Sequence, residues 1–227
     1  MIHSILNQTR KPDLFLLNIP GVFARTGETY RVPKYIRKSL TVNHVDTDYG
    51  PATKIVPAVA YLKTPEVRDT YHPDNTRIIY LDDDISYPPR MIETYERMIS
   101  SNDHSVWTAT GFDFVNLELN GKRAYKDTAT IAEGYGSVCV KLNTFGDNFM
   151  EYMTQYTAID NQICRLSDDV ILSNYYHKQN FTDRVCYNGN ASFFLEPLEA
   201  TSIHFIDLVN VLAHKYVTGR ERSLDVL

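Results

Sequence analysis

Three adjacent aspartates, Asp82, Asp83 and Asp84, directly follow the apolar segment 78–81 of this 227-residue chain. Such a segment is typical of a buried strand, and open α/β sheets bind ligands at the carboxyl ends of their strands. Burying neighbouring carboxylates without a counter-charge is costly. A hard cation such as Mg²⁺ or Mn²⁺ relieves that conflict, because it prefers carboxylate, phosphate and water oxygens. The pattern predicts a metal site; the alternative is a solvated acidic turn that caps the following helix.

Two chemistries use a D-x-D sequence after a strand: metal-assisted transfer from a nucleoside diphosphate sugar, and phosphate hydrolysis by enzymes of the haloacid-dehalogenase type. The hydrolases carry the motif near the start of the fold and a second acidic pair after another apolar strand. Here the motif begins only at Asp82, and the later pair Asp168–Asp169 follows the polar stretch 161–167. Both observations favour transfer over hydrolysis.

The composition limits the classes of protein to consider. Hydrophobic residues make up 43% and charged residues 22% of the chain, which is typical of a globular domain. The net charge of -5 argues against general nucleic-acid binding. Three distant cysteines, without C-x-x-C spacing, indicate a reducing compartment. No transmembrane-length apolar run and no signal-peptide core are found, so we expect a cytoplasmic location, or a cytoplasmic membrane face reached through a partner.

The elements that must position these acids alternate between strands and helices. We predict one domain over residues 1–227, with a mixed α/β architecture built on a largely parallel sheet. The pattern predicts the end of a short helix within 2–9, a hairpin over 112–123 with its turn at Asn120–Gly121, and a weak helix over 205–216. The polar stretch 21–50 is predicted to be a long functional loop or several short pieces. The remaining strands are predicted at 14–19, 77–81, 105–110, 136–142 and 184–186, and the remaining helices at 53–62, 88–100, 145–156 and 168–178.

Several segments together resemble the nucleotide-sugar glycosyltransferases of the GT-A fold. They are Ser-Ile-Leu-Asn-Gln-Thr-Arg-Lys-Pro-Asp-Leu-Phe-Leu-Leu at 4–17, Asp-Tyr-Gly-Pro-Ala-Thr-Lys at 48–54, Leu-Asp-Asp-Asp-Ile-Ser-Tyr-Pro at 81–88 and Asp-Asp-Val-Ile-Leu-Ser at 168–173. Small glycosyltransferase domains of large algal viruses are similar. The resemblance implies a Rossmann-like, mainly parallel sheet flanked by helices. The family's usual first strand is missing ahead of the first helix, either because the chain is truncated or because another segment replaces it.

The resemblance also implies roles for the acids and their neighbours. Asp84 would be the main metal ligand, Asp82 would contact the ribose or the metal through water, and Asp83 could take either role. His204 matches a third metal ligand of many relatives. The diphosphate or base pocket would be formed by Lys54 with Asp48, Tyr49 and Gly50; the plainer interpretation of Lys54 is an exposed lysine in a helix-start turn.

The second acidic pair is implied to supply the general base. In inverting members one carboxylate, here Asp169 or its neighbour Asp168, takes the proton of the acceptor hydroxyl. The alternative is that both simply favour a helix N-terminus, where the dipole prefers anions. Gly134 and Tyr135 match the loop that contacts the transferred sugar, and the plainer interpretation there is a β-turn.

These implications add up to a metal-dependent, inverting glycosyltransferase of the hexosyltransferase type. Mn²⁺ or Mg²⁺ would be its cofactor, a UDP-type nucleotide sugar its donor, and a glycan or glycoconjugate its acceptor. One alternative is a sugar nucleotidyltransferase, although the sequence lacks the Gly-rich basic loop usual in that class. The other is a non-catalytic GT-A domain that acts as a binding module.

Overall fold

The computed structural model describes residues 1–24, 26–30, 32–99, 105–112, 114–115, 118–119, 129–158, 167–179, 185–187 and 196–197. The helix expected at 205–216, residue His204 and the turn expected at Asn120–Gly121 lie outside these residues. No helix in the described part of the chain is both long and apolar enough to cross a membrane.

Helices and strands alternate through the first half of the chain, as the apolar pattern predicts. The helices are α1 (Ile2–Leu6), α2 (Val56–Leu62), α3 (Pro65–Arg68), α4 (Met91–Met98), α5 (Phe149–Thr157) and α6 (Asp168–Lys178). The strands are β1 (Leu16–Pro20), β2 (Thr41–Val45), β3 (Arg77–Tyr80), β4 (Ile85–Ser86), β5 (Val106–Thr108), β6 (Gly111–Phe112), β7 (Phe114–Val115), β8 (Glu118–Leu119), β9 (Ile131–Ala132), β10 (Val138–Lys141), β11 (Val185–Tyr187) and β12 (Glu196–Pro197).

The strands form two main sheets. Strands β1 and β2 pair in parallel, with Leu16 opposite Thr41 and Pro20 opposite Val45. A second sheet has the order β11-β5-β10-β3. In it β10 runs antiparallel to both β3 and β5, while β11 runs parallel to β5. Shorter antiparallel pairs join β4 to β12, β6 to β9 and β7 to β8.

A mixed α/β architecture is confirmed, but a mainly parallel sheet is not. Most strand pairs in the described residues are antiparallel, and the parallel ones are β1 with β2 and β5 with β11. A short apolar run marks a buried strand without encoding its direction, so the sequence could not distinguish the two arrangements.

The core lies on both faces of the four-stranded sheet. On β10, Val138 and Val140 pack into one apolar cluster with α2, α5 and α6, while Cys139 points into a second cluster with α1 and α4. All residues of β10 are buried. A strand covered on both faces reads as a continuous apolar run, which is why this one was predictable.

The structure refines three local predictions. The stretch 21–50 contains short pieces, as one of its two interpretations predicted: a 3-10 turn over Ile36–Lys38 and β2, whose sequence Thr-Val-Asn-His-Val is only partly buried. The helix expected at 53–62 is a 3-10 turn over Gly50–Lys54 followed by α2, so Pro57 lies in a first helical turn, where proline is well tolerated. The expected hairpin is present as β7 paired with β8, with Val115 opposite Glu118.

Candidate functional site

A loop built around Asp48 sets the position of Lys54. One Asp48 carboxylate oxygen accepts the Gly50 N–H at 2.7 Å, and the other accepts the Ala24 N–H at 2.8 Å. Gly50 has φ +63°, a left-handed conformation that favours glycine. The Asn18 side chain on β1 donates to the Lys54 carbonyl at 3.2 Å. Asp48 and Gly50 therefore shape the turn that delivers Lys54, and the neighbouring Tyr49 packs against the core.

Lys54 joins two carboxylates that are distant in sequence. Its Nζ atom lies 2.5 Å from Asp82 Oδ1, just beyond β3, and 2.9 Å from Asp168 Oδ2, at the start of α6. The side chains are 12% exposed for Lys54, 7% for Asp168 and 32% for Asp82. The contact with Asp168 is a close ion pair without the alignment of a hydrogen bond.

Gly134 closes the same group of side chains from the opposite side. Its backbone N–H donates to Asp169 Oδ1 at 2.8 Å. A Cβ atom on Gly134 would stand 2.5 Å from Lys54 Nζ and 3.1 Å from Asp169 Oδ1. A side chain at this position would displace the Lys54 ammonium, and the Gly134 amide orients the Asp169 carboxylate. We call Lys54, Asp82, Asp168 and Asp169 the lysine-centred cluster.

The pKa values of Lys54, Asp168 and Asp169 are all raised in the folded protein. Burial opposes the charged form of Lys54, but the charges of the three aspartates outweigh it and raise its pKa well above the usual range. Burial raises the pKa of Asp169 well above its usual range, and the charge of Asp168 adds to the effect. Burial likewise raises the pKa of Asp168, against the attraction of Lys54.

Tyrosine hydroxyls support the cluster, and sequence reasoning did not single them out. The hydroxyls of Tyr80 and Tyr176 lie 3.2 Å apart in the core, and Lys54 Nζ is 6.0 Å from the centroid of the Tyr80 ring. The Tyr87 hydroxyl accepts the Asp82 N–H at 2.9 Å and donates towards the Tyr135 carbonyl at 3.0 Å. It thereby links the end of β3 to the Gly134 loop. The only sequence signal was that these tyrosines fall within or beside apolar segments.

Asp83 and Asp84, which we call the outer pair, have a different environment. Both are exposed. No lysine or arginine of the described residues forms an ion pair with either of them. Partial burial, followed by the charges of Asp82 and Asp83, raises the pKa of Asp84. These carboxylates therefore lack a cation supplied by the described part of the chain.

A cleft of about 1560 Å³ adjoins both groups. It runs along β1 and β3, since consecutive residues 10–20 and 74–79, continuing through the aspartates, line it. Its described lining includes Asp48, Gly50, Lys54, Asp82 and the outer pair, but not Gly134, Tyr135, Asp168 or Asp169. The buried end of the lysine-centred cluster is thus reached from the cleft through Lys54 and Asp82.

The structure brings together most of the residues expected at the site. Lys54, Asp82, Asp168, Asp169 and Gly134 converge, and Tyr135 is joined to them through Tyr87. Within the described residues, no group of three or more His, Cys, Asp and Glu side chains is arranged to hold a metal ion. Asp82 Oδ1 faces the Lys54 ammonium.

Comparison of the chain with protein-family models, with curated proteins and with solved structures found no match. The geometry of the cluster and the cleft therefore carries the functional argument.

Proposed function

We propose that the protein is a metal-dependent glycosyltransferase that moves a sugar from a UDP-type nucleotide donor to a hydroxyl of a glycan or glycoconjugate, with inversion at the anomeric carbon. One observation supports this most strongly. An oriented, partly exposed carboxylate, Asp169, lies in the same cluster as Asp82, whose chain neighbours Asp83 and Asp84 open onto a large cleft. Donor-binding groups on the cleft wall would then be joined to the proton-accepting group through Asp82 and Lys54.

The cleft suits an extended, partly aromatic donor. Pockets for drug-sized ligands span roughly 300–1,000 Å³, and this one is larger, at about 1560 Å³. Phe23 and Tyr30 line it as an edge-to-face pair with ring centroids 5.7 Å apart. Aromatic faces of this kind suit a nucleobase or a sugar ring.

The outer pair has the chemistry to hold the metal. Mg²⁺ and Mn²⁺ accept one or two carboxylates and complete their coordination with phosphate oxygens and water. Asp83 and Asp84 are adjacent, exposed, like-charged and on the wall of the cleft, so a divalent cation relieves their repulsion. When bound, the metal supplies neutralisation of the charge on the departing diphosphate. His204 as a further ligand stays a prediction.

Asp169 is the proposed general base. The Gly134 amide fixes its Oδ1 atom at 2.8 Å, while Asp168 is more deeply buried and bound to Lys54. A raised pKa brings a carboxylate closer to the basicity that proton transfer near neutral pH requires. The acceptor oxygen attacks the anomeric carbon, the bond from that carbon to the diphosphate oxygen breaks, and the hydroxyl proton passes to Asp169.

Calorimetry with UDP, with and without Mn²⁺, combined with a donor-turnover assay, tests the proposal. The wild type should bind UDP in a Mn²⁺-dependent way, and Asp84→Ala should weaken that binding about 10- to 100-fold because a metal ligand is lost. Asp147→Ala is the matched control, since Asp147 is exposed and lies outside the cleft lining.

Two outcomes would contradict the proposal. A wild type that binds neither Mn²⁺ nor UDP would favour the non-catalytic module. Equal donor turnover by the wild type and by Asp84→Ala would remove the metal role of the outer pair.

A further inference from the structure

Lys54 lies where three segments of the chain meet. It ends the 3-10 turn Gly50–Lys54, and its ammonium contacts Asp82 after β3 and Asp168 at the start of α6. We propose that Lys54 is a positioning residue that ties the donor side of the site to its base side, and that it does not serve as the ligand of the donor diphosphate. The inference rests on the proposed glycosyltransferase function and assigns a role within that site.

The charge of buried Asp168 holds the Lys54 ammonium in place. Asp168 has a side chain that is only 7% exposed, and Lys54 is the cation next to it at 2.9 Å. Removing one partner of a buried ion pair strongly destabilises a protein, because the other charge is left uncompensated. If the ammonium moved to a phosphate, Asp168 would lose this counter-charge. The ammonium is therefore held where it is.

The space around the Lys54 Nζ atom is limited. The Lys54 side chain is 12% exposed. On the Gly134 side, even a Cβ atom would come within 2.5 Å of Nζ. Nζ already lies within 2.9 Å of a carboxylate oxygen of Asp82 and of one of Asp168. The surroundings of Nζ fit two fixed carboxylates better than a large, mobile diphosphate.

Lys54 connects the proposed metal-binding side of the site to the proposed base side. Asp82 precedes the outer pair, where the donor metal is proposed to bind, and Asp168 precedes Asp169, the proposed base. Lys54 thus sets the distance between the end of β3 and the N-terminus of α6. A misplacement of about 1 Å in a catalytic site can lower turnover by about 100-fold. The loss of Lys54 should therefore appear in kcat.

The test compares Lys54→Met, Asp168→Asn and the double variant Lys54→Met/Asp168→Asn by transfer kinetics and by UDP–Mn²⁺ calorimetry. We expect Lys54→Met to lower kcat by about 100-fold, with the donor KM and the UDP affinity changed by less than about threefold. Adding Asp168→Asn should cost little more kcat, because the tie is already lost. Lys63→Met is the control, since Lys63 is a half-buried lysine that donates to the Phe145 carbonyl outside the cluster.

A loss of UDP affinity of about tenfold or more, with kcat unchanged, would show that Lys54 is a phosphate ligand and would overturn the inference. If Lys54→Met alone does not fold, the double variant, which removes both buried charges, still gives the kinetic answer. If the wild type neither binds UDP nor transfers sugar, the proposed function fails. The tie itself is then decided by urea unfolding: the double variant should unfold at a higher urea concentration than Lys54→Met, and a further loss of stability on adding Asp168→Asn would refute it.

Discussion

The lysine-centred cluster and the outer pair contain the same kind of side chain in opposite situations. Asp82 and Asp83 are neighbours in sequence, yet Asp82 contacts an internal ammonium at 2.5 Å, whereas Asp83 is exposed without an ion-pair partner among the described residues. Where the protein supplies its own cation, carboxylates can be buried and fixed. Where it does not, they remain available to a cation from solution. The difference separates the proposed base from the proposed metal-binding pair.

The largest expected effect concerns Asp169, the proposed base in the lysine-centred cluster. Asp169→Asn keeps an oxygen that can accept the Gly134 N–H but removes the site that accepts a proton. We expect transfer to fall by about 10²- to 10⁴-fold, the usual contribution of general-base catalysis. UDP–Mn²⁺ binding should stay unchanged, which is the opposite of the pattern expected for Asp84→Ala. Transfer kinetics and calorimetry on the same preparations make the comparison.

If Asp169→Asn retained transfer within about tenfold of the wild type, less than the usual general-base contribution, Asp169 would not be the base. If it lost UDP–Mn²⁺ binding as well, the two groups of acids would form one site, and the distinction between them would fail.

Part of this arrangement follows from the sequence. The helix over 168–178 was predicted with its observed bounds, because Ser167 and two aspartates form a strong start signal before an apolar stretch. The strand before Asp82 was predicted because it is a continuous apolar run that ends in charge. These are local signals, so one sequence was enough to place both groups of acids at the ends of elements.

The partners of Lys54 were not predictable in the same way. Its contacts with Asp82 and Asp168 span 28 and 114 positions in the chain (82 − 54 and 168 − 54), and they depend on how β3 and α6 pack. The crowding at Gly134 was not predictable either, because it comes from Lys54 and Asp169, which are distant from it in the sequence. Strand direction was missed for the related reason that pairing is a tertiary choice.

The next largest effect should come from crowding the lysine-centred cluster without changing its charge. Gly134→Ala would place a Cβ atom 2.5 Å from Lys54 Nζ and 3.1 Å from Asp169 Oδ1, so the ion pairs must shift. Overpacking of this kind typically costs about 1–3 kcal/mol of stability, and we expect kcat to fall about tenfold, equivalent to about 1.4 kcal/mol. Urea unfolding and transfer kinetics measure the two effects.

Gly21→Ala is the matched control, because a Cβ atom on Gly21 would meet nothing within 4 Å. It should leave both stability and turnover near the wild-type values. If Gly134→Ala and Gly21→Ala had the same stability and the same turnover, the lysine-centred cluster would tolerate displacement of Lys54. The proposed positioning by Lys54 would then lose its basis.

The smallest expected effect is a pH-dependent gain of stability when Asp169 of the lysine-centred cluster is replaced by asparagine. Burial, followed by the charge of Asp168, raises the pKa of Asp169 in the folded protein, so the folded state binds this proton more tightly than the unfolded chain does. The ionised form therefore destabilises the fold at high pH. This penalty fades as the pH falls through the folded-state pKa, and it is gone below the unfolded value of about 3.9. Asp169→Asn removes the penalty and should raise the free energy of unfolding by about 1 kcal/mol at pH 8.

The difference in unfolding free energy between Asp169→Asn and the wild type should shrink as the pH is lowered from 8 towards 4, and urea denaturation across that range measures it. The same substitution at Asp83 should give no such gain, since that side chain is exposed to solvent. A pH-independent difference, or an Asn variant less stable than the wild type at pH 8, would show that Asp169 is stabilised in its ionised form. The contrast between a strained inner carboxylate and a solvated outer one would then be wrong.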